Sequence, residues 1–336
     1  MEGYEDIQVS FLNMVKKRLP PNISLADEIS EILDISRDSA YRRLRGETIL
    51  SLTEVRKLSN HYGVSLDTLL NTQNDSITFQ YRSINNETFT FLNYLESILL
   101  NMKTLQQYDT TMISYLAKDV PPWHHFQFSR LAEFKCFFWM KTILKDPKLE
   151  NESFYFGTLS KDYLEMGYKI LEEYSTIDSL EIWSYETINI TLRQLEFYLE
   201  CGFFQNPEDA HTILDEFEKL LEHMESQAQH GFKFIHGKPI ENGKENFQLY
   251  SNEVNIADQT VFFKMQDTRI TYLVHNNLNI LTTSHQEFCE GTENYIRNLV
   301  SKSNLISSSS QKERNRFFNR LRKKTRKCRE VLNKYI

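Results

Sequence analysis

Over the first seventy residues, apolar positions recur at helical steps and tight turns interrupt them. Phe11, Leu12, Val15 and Leu19 share one face, and Pro20-Pro21 stops that helix. Ser24 is placed to cap a second helix, with Asp27 in its first turn, where a carboxylate suits the positive helix end. Leu25, Ile29 and Ile32 form its apolar face. Ser36 caps a third helix, which carries Asp38 in its first turn and turns Ala40 and Leu44 inward. Gly46 ends it in the manner of a left-handed cap. A fourth helix is predicted from about Thr53 to His61, with Val55, Leu58 and Tyr62 inward and Gly63 as terminator. Ser65 caps a last short helix, Leu66 to Leu70. Residues 1–72 therefore read as a five-helix unit, followed by a polar linker at 72–80.

Beyond the linker the stripes lengthen. Residues 80–230 predict a helical domain, with helices near 88–107, 110–118, 125–145, 160–174, 179–202 and 207–230. Pro121-Pro122, Asp146-Pro147 and Asn206-Pro207 punctuate them, and a stack of helical hairpins would bury their stripes. No repeat signature accompanies the pattern. From residue 231 the period changes. Glycines at 231, 237 and 243 precede Phe247–Tyr250, Thr260–Phe263 and Arg269–Val274, which are rich in β-branched and aromatic residues. Asn276-Asn277 then separates Arg269–Val274 from Leu278–Thr283, as in a β-hairpin with an asparagine turn. A helix near Glu287–Lys302 and a serine-rich break at 307–310 follow. The expected fold is mainly α, with a small α+β region over 231–336 that ends in a basic helix.

Charge sharpens this division. The chain of 336 residues has a net charge of −7, yet residues 312–336 hold eleven Lys or Arg against two Glu, a local +9. The remainder carries about −16, so the acidic total does not by itself exclude nucleic acid. Phe317, Leu321, Thr325, Cys328 and Leu332 line one stripe of this basic end. It suits a helix docked on the body with a solvated basic face, a phosphate contact or a dimer contact; a membrane surface ranks last, without a Trp or a lipid anchor. Aromatics make up 13% of the chain, which excludes wholesale disorder. Four scattered cysteines form no CxxC pair and point to reduced thiols in a cytoplasmic protein. No stretch has the length and apolarity of a membrane span.

The order and spacing of residues 24–70 carry the strongest signal. SLADEISEILD, a tight turn at Asp34-Ile35-Ser36, and SRDSAYRRLRGE come first. A loop around Thr48–Ser51, LTEVRKLSNHYG and the ending GVSLDTLL complete the series. This stretch resembles the lambda-repressor-like, XRE-type helix-turn-helix family of transcriptional regulators, of bacterial or phage type. The resemblance implies a second motif helix that enters the major groove by its N-terminus. Arg37, Asp38, Ser39 and Arg42 would read bases, and Arg43, Arg45 and Thr48 would hold phosphates. Residues 37–45 hold four Arg against one acid, although 24–71 as a whole carries eight acids and six bases. A domain with so little net attraction for DNA calls for dimerisation or for other basic segments, such as Lys16-Lys17-Arg18.

The expected protein is therefore a sequence-specific DNA-binding regulator acting on double-stranded DNA as a homodimer. The residues beyond the motif would sense a small molecule or a protein. The alternative is a helical interaction scaffold whose helix-turn-helix does not read DNA. No Walker A, GxGxxG, GxSxG or HExxH motif occurs, so no catalytic residue, metal ligand or cofactor is assigned. His124-His125 read as capping or core residues, and His223 and His230 as surface residues. The aromatic run Phe134–Met140 reads as core first and as a ligand-pocket wall second.

Overall fold

A computed structural model describes residues 7–16, 18–19, 23–64, 77–81, 89–240, 243–253, 256, 258–275 and 278–335. The expected helix Leu66–Leu70 with its cap Ser65, the Pro20-Pro21 stop, Lys17 and the Asn276-Asn277 turn lie outside these residues. A little over half of the chain is helical, in twelve α-helices among the described residues, together with one mixed sheet of eight strands. The chain forms two compact units, Met1–Thr78 and Phe79–Ile336.

The first unit holds α1 (Ile7–Lys16), α2 (Leu25–Leu33), α3 (Arg37–Leu44) and α4 (Leu52–Tyr62). Phe11, Leu12, Val15, Ile29, Leu33 and Leu58 meet in its core, each from the apolar face of its own helix. Ser36 caps α3 by accepting a hydrogen bond from the backbone N–H of Ser39. Ser24 stands at the N-cap of α2, but its side chain makes no capping bond. Ser51 and Glu54 close a reciprocal capping box at α4, readable in the sequence as S-x-x-E. Gly63 ends α4 at φ 63°, a conformation that glycine adopts without a Cβ clash.

The second unit is built on the sheet. Its strands are β1 (Gln80–Tyr81), β2 (Thr111–Ala117), β3 (Ser179–Trp183), β4 (Phe247–Ser251), β5 (Thr260–Met265), β6 (Thr268–His275), β7 (Asn279–Thr283) and β8 (Asn304–Leu305). Their spatial order is β1-β7-β6-β5-β2-β3-β4-β8. β2, β3 and β4 are mutually parallel, while the other neighbours pair antiparallel. β6 and β7 form the expected hairpin, with His275 opposite Asn279.

The helix expected at 110–118 is instead the central strand β2, Thr111–Ala117, and 179–183 form β3 ahead of a helix that starts only at Asn189. Both strands lie in the middle of the sheet, covered on both faces, and each is too short a run, TMISYLA and SLEIW, for its spacing to separate strand from helix. The boundary drawn at residue 230 is likewise not a structural one, because strands from both sides of it share one sheet. The middle region is thus not a stack of helical hairpins.

The remaining helices are α5 (Phe91–Leu105), α6 (Pro122–His125), α7 (Ser129–Phe138), α8 (Lys161–Thr176), α9 (Asn189–Glu200), α10 (Asp209–His230), α11 (Gln286–Ser301) and α12 (Gln311–Leu332). A π-helical turn, Trp139–Ile143, extends α7. Alternate strand residues serve different layers. Tyr115, Trp183 and Phe263 join the large helical core, whereas Leu116, Ile182 and Phe262 pack with Cys289 and Ile296 of α11 on the opposite face.

The basic α12 docks as its stripe requires, with Phe317, Leu321, Thr325, Cys328 and Leu332 buried. Four of its cations pair with acids of the body among the described residues, Arg316 with Glu253 at 3.8 Å being one. Arg322 pairs with Glu225, Lys324 with Glu186 at 2.9 Å, and Arg329 with Asp215 and Glu218 at 2.7 Å each. His124 and His125 are buried, and His124 Nε2 lies 2.7 Å from Oε1 of Glu181 in the middle of β3. Glu181 also accepts hydrogen bonds from Tyr174 and from the Trp183 indole. Burial pushes its carboxyl pKa up, but His124 and these donors outweigh that and hold it below the ordinary range. His223 is not a surface residue. It is buried, with Nε2 2.9 Å from the Phe234 carbonyl.

Candidate nucleic-acid interface

The pair α2–α3 is set by one turn. Asp34 closes α2 in the left-handed region at φ 55°, and the Ile35 N–H returns to the Ser30 carbonyl at 3.0 Å. Ser30 Oγ donates to the Ile35 carbonyl at 2.6 Å, which fixes the direction in which α3 departs. At the far end, the Gly46 N–H binds the Arg43 carbonyl and the Glu47 N–H binds the Arg42 carbonyl, with Gly46 at φ 74°. This is a Schellman closure, so the sequence expectation of a left-handed cap at Gly46 has a definite form. From α1, Gln8 clamps the loop that follows. Its amide donates to the Arg43 and Thr48 carbonyls at 2.8 and 2.9 Å and accepts from the Leu50 N–H at 2.7 Å.

On the helix so held, Arg37, Asp38, Tyr41, Arg42 and Arg45 are exposed, Ser39 is half-buried, and Ala40 points into the core. Steps of three and four place the exposed residues on one face. Three of its Arg are lightly tethered at the surface: Arg37 to Asp27 at 2.7 Å, Arg45 to Glu47 at 2.7 Å, and Arg42 to Glu47 at 3.7 Å. Exposed pairs of this kind are worth about 0–1 kcal/mol each, so a guanine edge or a phosphate can displace them at little cost.

Arg43 is different. Its guanidinium is 15% exposed and grips Glu54 through Nε and Nη2 at 3.1 and 2.7 Å, while Nη1 donates to the Ser39 carbonyl at 3.2 Å. Glu54 meanwhile accepts from the Ser51 N–H at 2.7 Å. Burial pushes the Glu54 pKa up, but the Ser51 N–H and Arg43 outweigh that and bring it below its ordinary value. Arg43 thus ties α3 to the start of α4, away from the phosphate role expected for it. Thr48 is half-buried in the loop that Gln8 clamps. The Arg43–Glu54 pair and the Gln8 clamp were not legible in the pattern of apolar positions, since each joins residues more than ten apart through polar atoms.

A unit that presents one exposed, Arg-rich helix behind a tight αL turn has the form of a helix-turn-helix. The comparison with known families agrees: residues 13–89 match the BetR domain, a helix-turn-helix-type DNA-binding family. No curated protein and no solved structure matches the chain. Among the described residues, no helix is long and apolar enough to cross a membrane.

Proposed function

We propose that this protein is a sequence-specific, DNA-binding transcriptional regulator of the lambda-repressor-like (XRE) type, working in the cytoplasm as a homodimer. The observation that carries the reading is the exposed face of α3 in a domain that matches a DNA-binding family. Arg37, Asp38, Ser39 and Arg42 face the base edges. Arg is suited to guanine through two hydrogen bonds, and the short polar side chains at 38 and 39 to neighbouring edges. Arg45 and Thr48 lie at the end of the helix and in the next loop, where phosphate contacts fix position. The second unit senses a signal and holds two reading units at half-site spacing. Dimerisation also answers the weak net attraction of an acidic reading unit for DNA, because two half-sites multiply the contacts.

Selection of bound sequences from random DNA by the full chain tests this reading. The expected result is an enriched motif with two-fold symmetry, bound with a steep dependence on salt. A chain that enriches no sequence at low salt is not a sequence-specific regulator.

A further inference from the structure

The second unit holds a partly open cavity of about 770 Å³ between one face of the sheet and the helices α5–α9. Sites that take drug-sized molecules span roughly 300–1,000 Å³, so the volume is that of a ligand site. Tyr115, Phe263 and Tyr272 of the sheet face Ile98, Trp123 and Trp139 of the helices across it. The π-helical turn Trp139–Ile143 contributes both its first and its last residue to the wall. Such turns widen a helix at a cost in hydrogen-bond geometry and concentrate at functional sites.

Polar groups are few and unevenly placed. On the inner wall Asp119 faces the buried Lys135 at 3.3 Å, and Lys135 also donates to Thr191 and to Gln194 at 3.1 and 2.9 Å. That pair neutralises itself. Gln259 donates to the Tyr115 hydroxyl at 2.5 Å. At the exposed edge stand Lys118 and Arg193, neither held by an ion pair or a hydrogen bond among the described residues, with Asp258 as the acid among them. The rim is therefore cationic by one charge, and its two cations are uncommitted.

We propose that this cavity binds an organic anion whose apolar ring or acyl body fills the aromatic interior and whose acid group meets Lys118 and Arg193. The inference rests on the sensing role proposed above for the second unit and names the chemistry of the signal. An apolar body without charge would leave the rim cations unused, and a cation would be repelled by them. The walls also include the first helix of the second unit and a neighbour of its first strand. α5 supplies Ile98, and β7, the strand paired with β1, supplies Ile280.

Calorimetry on the full chain without DNA tests the site with 1-naphthoate and decanoate as ring and acyl probes. The matched alcohols and decylamine serve as neutral and cationic controls. One carboxylate is expected to saturate a single site at least about tenfold more tightly than its alcohol, as one charge-assisted contact provides. Trp fluorescence should change with it, since Trp123 and Trp139 line the cavity. Replacing both Lys118 and Arg193 by Ala should bring the acid to the affinity of the alcohol and leave the alcohol unchanged. Ile98→Trp, which fills the interior, should abolish both. The proposal is overturned if neither carboxylate binds, if an alcohol or the amine binds as tightly as the acid, or if binding survives Ile98→Trp. No DNA enters this measurement, so its failure is distinct from a failure of the DNA-binding reading.

Discussion

Four arginines within nine residues look alike in the sequence and differ in the structure. Arg42 is exposed and loosely paired, so Arg42→Ala should leave the fold intact. It should cost about 1–3 kcal/mol at the preferred DNA site and relax the preference at one base position. Arg45→Ala should instead weaken binding evenly across sequences and reduce the salt slope by about one. Competitive binding over a sequence library separates the two outcomes. Arg43→Ala belongs to another category, because it removes the partner of a half-buried Glu54. The expected loss is about 1–3 kcal/mol in the unfolding transition of the first unit, read by chemical denaturation without DNA. If Arg43→Ala unfolds like the parent chain yet binds DNA poorly, Arg43 is a phosphate contact after all.

At the scale of elements, close approach decides the packing. α8 comes so near α6 that a Cβ built on Gly167 would lie 2.0 Å from ring atoms of Phe126. Gly167→Ala should therefore destabilise the second unit by about 1–3 kcal/mol or more, measured by thermal unfolding. Phe126→Leu in the same chain should recover part of that loss, because the two residues contest one space. Gly167 reads in the sequence as an ordinary helical position, since nothing local to α8 marks which face will meet another helix. Gly46 and Gly63 are the opposite case. They follow helical stripes, and a left-handed cap was legible at both. α12 lies between these cases. Its apolar stripe announced a docking face, but the acids that neutralise Arg322, Lys324 and Arg329 come from residues 186–225, far back in the chain.

The molecule as a whole should lose stability in acid in two steps. Burial lowers the His223 pKa to about 4, against the Phe234 carbonyl, which favours the charged form. In the unfolded chain the same imidazole titrates near about 6.5. Between these values the unfolded state takes up a proton that the folded state refuses, so stability present above pH 6.5 drains away as the pH falls towards 4. The full span is worth up to about 3 kcal/mol. Glu293 acts lower on the scale. Its burial favours the neutral acid, but hydrogen bonds from Arg269, Arg297 and Lys264 outweigh that and bring its pKa to about 2. Its contribution is lost as the pH falls from the ordinary carboxylate range through about 2. Denaturation midpoints between pH 7 and 4.5 should fall for the parent chain and fall less for His223→Gln.

The sequence by itself determined the helix-turn-helix order, the caps at Ser36, Gly46 and Gly63, the C-terminal hairpin and the docking stripe of α12. These features depend on residues near one another along the chain, where periodicity and local hydrogen bonding decide conformation. Only the tertiary structure decided that 111–117 and 179–183 are the central strands and that 79–336 forms one unit. It alone turned Arg43 inward, buried His223 and opened a cavity behind the aromatic run after Phe134. Strand pairing, burial of charge and the space of a pocket arise between residues distant in sequence, and a short buried run does not by its own spacing tell strand from helix.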